Sequence, residues 1–236
     1  MTDYASLEQR LVDSLRLRRR PVAVTFCDSE PDGIARFAGT QPAGCAFWKL
    51  AADGRAFYTA PGDHYNCAIG CYTHRIPLPE RRADELSATI GFMTEIGYIK
   101  PQDVGAIAQL ADTPRFVVYA PLAQAPLPPD VVLLVGKPGA IMLLEEAAIS
   151  AGAATEASCL GRPTCMAIPV ALARGLTASS GCVGNRVYTN LADEEMYLVI
   201  PGKDIAGVAN ALDLIVAAND KLLAYHRDRS RQLTAS

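Results

Sequence analysis

Two stretches decide the fold: VLLVGKPGAIMLLEEAA (132–148) and its echo YLVIPGKDIAGVANALDLI (197–215). Each opens on an apolar run of strand length. Each then crosses a Gly/Pro/Lys turn and continues with apolar residues at helical spacing. A β-branched run bounded by turn residues reads as a buried strand, and the period of 3.6 that follows reads as a helix packed back onto it. Upstream of each unit lie a cysteine, a Gly-terminated apolar stretch and a short small-residue strand. A second cysteine then precedes a glycine, as Cys67-Ala-Ile-Gly70 and as Cys182-Val-Gly184. The spacing from Cys45 to Cys67 is 22 residues and from Cys165 to Cys182 it is 17. The pattern predicts one compact domain over 1–236 built as two related halves, about 21–152 and 153–228, the first enlarged by an insertion at 83–120. The two cysteine pairs would then face each other across a pseudo-two-fold axis.

The rest of the chain fits an α/β or α+β class, a mixed sheet flanked by helices. SLEQRLVDSLRLR (6–18) spaces Leu7, Leu11 and Leu15 as a helix, with Ser6 able to cap it. PVAVTFC (21–27), RAFYTAP (55–61) and RFVVYAPL (115–122) read as strands, and CAFWKLAADG (45–54) reads as a helix closed by Gly54. Residues 83–110 read as two helices broken at GYIKPQD, with Pro101 in the first turn of the second. The final helix is expected from Asp204 to about Arg227.

At 236 residues, half of them apolar, the chain can bury a full core. A net charge of -3 offers no field to hold nucleic acid or an anionic membrane, so neither is an expected partner. The start, MTDYASLEQRL, lacks the layout of a signal peptide, and no apolar run reaches membrane-spanning length. The expected setting is the cytoplasm, with a small-molecule substrate or a redox protein as partner and homo-oligomers allowed.

Seven cysteines in a reducing compartment, an odd number, argue against a disulfide framework and for metal or redox ligands. No C-x2-C pair aims two thiolates at one tetrahedral ion. The spacings are C-x3-C at Cys67/Cys71 and C-x5-C at Cys159/Cys165, with Cys45 and Cys182 isolated. An iron–sulfur cluster spans several ångströms, so it accepts ligands from separate loops, and glycines beside such ligands let backbone N–H groups approach the sulfides. Gly44, Gly70, Gly161, Gly181 and Gly184 all lie near cysteines. The expected metal ligands are therefore Cys45, Cys67, Cys159, Cys165 and Cys182, with Cys71 as the sixth candidate. Gly70, Gly184 and Arg186 are candidate cofactor contacts. His64 and Tyr65, in GDHYNC, are candidate proton donors, and Cys27 reads as a buried strand residue.

With those residues in hand, the sequence resembles the prokaryotic family catalogued as domain of unknown function 169 over nearly its whole length. The resemblance rests on RPVAVTF (20–26), CAFWKLAADGRAFYTAPGDHYNCAIG (45–70), GRPTCMAIP (161–169), SSGCVGNRVYTNLADEEMYLVIPG (179–202) and AANDKLLAYHRDR (217–229). It implies a cysteine-based site on Cys45, Cys67, Cys159, Cys165 and Cys182. Cys71 stands where the family more often has a small residue. No reaction is implied.

The functional expectation is one [4Fe–4S] cluster, serving electron transfer with four thiolate ligands or Lewis-acid chemistry of the lyase, dehydratase or desulfurase kind with three. The alternatives are a zinc- or small-ligand-binding module with structural cysteines, and a metal-free thiol enzyme.

Overall fold

The computed structural model describes residues 2–154 and 158–234. It is an α/β protein with one seven-stranded mixed sheet. The strands are β1 (Val22–Cys27), β2 (Phe57–Thr59), β3 (Phe116–Pro121), β4 (Val131–Gly136), β5 (Ser158–Leu160), β6 (Thr177–Ser179) and β7 (Met196–Pro201). They lie in the order β2-β3-β1-β4-β7-β6-β5, all antiparallel except the edge pair β5–β6.

The stretches 132–148 and 197–215 place their strands side by side at the centre. β4 and β7 pair antiparallel over their whole length, from Val131↔Pro201 to Gly136↔Met196. Each runs into a helix, α6 (Pro138–Ser150) after β4 and α9 (Ile205–Thr234) after β7. Alternation along both strands sorts the side chains strictly, because successive residues point to opposite faces. Val132, Leu134, Leu198 and Ile200 join the core under α6, α9 and α1 (Tyr4–Leu15), with Leu11, Leu144, Ile205 and Val208 from those helices. Val131, Leu133, Tyr197 and Val199 join the opposite core. On that face lie α2 (Gly44–Ala52) and α7 (Ala167–Arg174), with α8 (Val183–Thr189) beyond α2. Phe47 of α2 is fully buried between the rings of Tyr119, at 5.5 Å, and His64, at 5.0 Å.

Several expectations change in detail. The strand predicted over 55–61 shortens to Phe57–Thr59, because Pro61 begins a one-turn helix α3 (Pro61–His64). A further helix, α4 (Ala68–Thr73), follows in what reads as loop. The two helices expected within 83–110 become one helix, α5 (Ala83–Glu95), and a 3-10 turn at Pro101–Ala106. Gly97, with φ 71°, closes the first, and the turn ends before a second α-helix can propagate. α9 continues past Arg227 to Thr234 on a polar, exposed extension.

Candidate functional site

Four of the cysteines meet. Cys45, Cys67, Cys165 and Cys182 all line one cavity of about 590 Å³ on the α2 side of the sheet. They come from four separate segments, each just where a helix begins. Cys45 sits in the first turn of α2, Cys67 caps α4, Cys165 lies in the 3-10 turn that leads into α7, and Cys182 caps α8. Helix starts leave backbone N–H groups without intrahelical partners, so these segments can turn donors toward sulfur. The Gly70 N–H already donates to Cys67 Sγ at 3.3 Å. The Cys182 N–H donates to the Thr164 hydroxyl at 2.6 Å, which ties the α8 start to the turn carrying Cys165.

Gly70 is required by this packing. A Cβ on it would stand 2.9 Å from Cys67 Sγ, inside van der Waals contact, so any side chain there displaces the sulfur. Gly181 holds φ 78° just before Cys182, a left-handed conformation that side-chain-bearing residues resist.

Electrostatics bind the four thiols into one unit. Burial pushes the Cys45 thiol up to about 12. Asn185 opposes the shift through a hydrogen bond, while Cys67 and Cys182 add to it by repulsion. Cys165 is raised well above the ordinary thiol value by burial, and then by Cys67, Cys182 and Cys45. Without a cation, Cys45 and Cys165 stay protonated, because burial disfavours their charged forms and the neighbouring thiols add to that. A bound cation reverses this and makes the thiolates the stable form.

The other two predicted ligands lie elsewhere. Cys159 is exposed on edge strand β5. Cys71 is fully buried and donates its thiol to the His64 carbonyl at 3.2 Å, and its own pKa is also pushed up to about 12 by burial. Cys27 ends β1, half-buried.

Of the remaining candidates, His64 and Gly184 line the cavity, as Gly70 does. His64 is buried, with Nε2 bonded to the Thr59 hydroxyl at 2.9 Å. Burial, with smaller contributions from His74 and Arg36, lowers its pKa to about 3, so the ring is neutral. Tyr65 is outside the lining; its carbonyl accepts from Arg82. Arg186 is also outside. It donates to the carbonyls of Ala192 at 2.8 Å, Ser180 at 2.6 Å and Glu195 at 3.2 Å, and so braces the loops around α8.

Three further features complete the wall, of which the sequence offers only His74, as a weaker counterpart of His64. Asn185 and His74 line the cavity, and each carries a buried polar atom, Oδ1 and Nε2, with no hydrogen-bond partner. Asn185 follows Cys182 in GCVGN, a position the sequence could have flagged. The third feature is the insertion: Ile90, Met93, Ile96, Ile99 and Val104 cover the cavity from α5 onward.

An α/β sheet carrying four cysteines from both halves of the chain around one apolar cavity is the class these observations define. The sequence profile of the family described as "Uncharacterised ArCR" matches residues 10–211, and the chain belongs to that family, DUF169. The uncharacterized protein MJ0308 of Methanocaldococcus jannaschii is 24% identical to it over 217 residues, covering 87% of this chain and 91% of that protein. No solved structure matches. No helix among the described residues is long and apolar enough to cross a membrane.

Proposed function

We propose that this is a cytosolic iron–sulfur protein whose cavity holds one [4Fe–4S] cluster on Cys45, Cys67, Cys165 and Cys182, and that the cluster exchanges electrons with a small molecule bound beside it. The observation that carries the reading is the convergence of these four cysteines, from four segments, on a single cavity.

Among the described residues, no group of three or more His, Cys, Asp or Glu side chains is placed to hold a metal ion, so the reading stands on the shared lining of the four cysteines. Two physical points support it. Four thiols rather than three favour complete ligation, hence electron transfer rather than an open iron. The cluster's charge would also hold deprotonated the thiols that burial and mutual repulsion otherwise keep neutral.

His64, His74 and Asn185 then form a neutral polar wall. Asn185, whose amide lowers the Cys45 thiol against the pull of burial, is the kind of polar neighbour that tunes a cluster's potential.

The test is iron, acid-labile sulfide and the visible spectrum of protein purified without oxygen. About four irons and four sulfides per chain, with a broad band near 400 nm, is the expected result. Colourless, iron-free protein that remains folded contradicts it.

A further inference from the structure

Cysteine makes only one wall of the cavity. Much of the rest of the lining is Ile90, Met93, Ile96, Ile99, Val104 and Ile107, contributed by α5 and the segment after it. α5 is an apolar helix that buries no residue of its own, and Phe92 and Ile96 are more than half exposed. A short helix gains its stability from the apolar face it packs against something, and this one rests only lightly on α4, with Leu86, Ile90 and Met93 half-buried. Protein interiors are otherwise close-packed; even an engineered apolar cavity of about 150 Å³ takes up benzene. At about 590 Å³ this chamber falls within the size range of small-molecule sites.

The lining also says what kind of molecule fits. Its charged side chains, Arg162 and Asp103, are of opposite sign, so no net charge selects an ion. Both are also engaged locally: the Arg162 guanidinium lies 4.2 Å from the Tyr98 ring centre, and Asp103 accepts from the Lys100 N–H at 3.2 Å. Phe92, Tyr98 and Tyr188 add aromatic rings to the lining. Asn185 and His74, in the same lining, each keep a buried polar atom without a hydrogen-bond partner.

We propose that this chamber binds an uncharged, largely apolar aromatic molecule with a hydrogen-bonding group on its edge, held between α5 and the cysteine wall. The inference deepens the proposed function by naming the class of its small molecule. It depends on that reading for the chemistry served, not for binding.

The test is a fluorescence titration of 1-naphthol into protein purified without oxygen, with 1-naphthoate as the charged control and iron measured on the same samples. The expected result is saturable binding of 1-naphthol, with 1-naphthoate about 100-fold weaker because its carboxylate would be buried without a free cation. Met93→Trp fills the chamber from a helix that buries nothing, so it should lower 1-naphthol affinity about tenfold or more while leaving the melting temperature unchanged. Ile96→Arg, on the same wall, serves as the second variant and should weaken binding likewise. No saturable binding, equal binding of both ligands, or unchanged affinity in both variants would overturn the proposal. Binding by iron-free protein keeps the chamber and counts against the cluster; full iron without binding does the reverse.

Discussion

The two faces of the central sheet are supplied by the same alternating strands and finished in opposite ways. On the side of α1, α6 and α9 the face is closed. Leu11, Leu134, Leu144 and Leu198 are fully buried in one continuous apolar core. On the other side, Val131, Leu133 and Val199 support α2 and α7, but beyond α2 the packing gives way to thiols, two neutral histidines and a chamber covered by α5. One face is spent on stability. The other carries buried polar atoms without partners, a cost that folding alone does not explain.

The largest stability effect belongs to the closed face. Leu144→Ala should cost about 2–5 kcal/mol in denaturant unfolding, since a fully buried leucine leaves a cavity between packed helices.

Acid comes next, and it acts through the open face. His64 and His74 are held near pKa 3 and 4, chiefly by burial, against about 6.5 in the unfolded chain. Between those values the unfolded state binds more protons than the native one. Stability from this source is therefore complete above about pH 6.5 and lost as pH falls toward 4. The expected slope near pH 5 is about 2.5 kcal/mol per pH unit for the two groups together. His64→Phe, in an aromatic setting with Phe47 and Tyr119, should roughly halve the slope; an unchanged slope would contradict the assignment.

Gly70→Ala should destabilise by about 1–3 kcal/mol and disturb the site, because its Cβ cannot coexist with Cys67 Sγ at 2.9 Å. The smallest effect belongs to the cover. Ile96→Ser, more than half exposed on a helix that buries nothing, should change stability by no more than about 0.5 kcal/mol. A cost as large as that of Leu144→Ala would show that α5 belongs to the core.

The closed face was legible in the sequence, because it is made by periodicity. VLLVG and YLVIPG alternate between two buried faces, and the helices after them repeat their apolar residues every three or four positions. The site was legible only in part. Cys45, Cys67, Cys165 and Cys182 stand out by their glycines, yet their meeting depends on how α2, α4, α7 and α8 are placed in space, which no local pattern encodes. α3, α4 and α8 run only 4, 6 and 7 residues, too short for a helical period to show. Cys159 resembles the four in its flanking residues but lies exposed on the edge strand, and Cys71 shares a motif with Cys67 while facing a carbonyl instead of the cavity. Arg186, which reads as a candidate cofactor contact, spends its donors on three carbonyls. Asn185 and His74 matter because they lack partners, a property that only the packed structure reveals.

The central claim is that four cysteines act together and the other three do not. Its most direct test is iron and acid-labile sulfide per chain in single Cys→Ser variants, all purified without oxygen. Near-wild-type iron is expected in Cys27→Ser, Cys71→Ser and Cys159→Ser, and loss of most or all of it in Cys45→Ser, Cys67→Ser, Cys165→Ser and Cys182→Ser. Iron that survives replacement of Cys165 or Cys182, or disappears with Cys159, would contradict it.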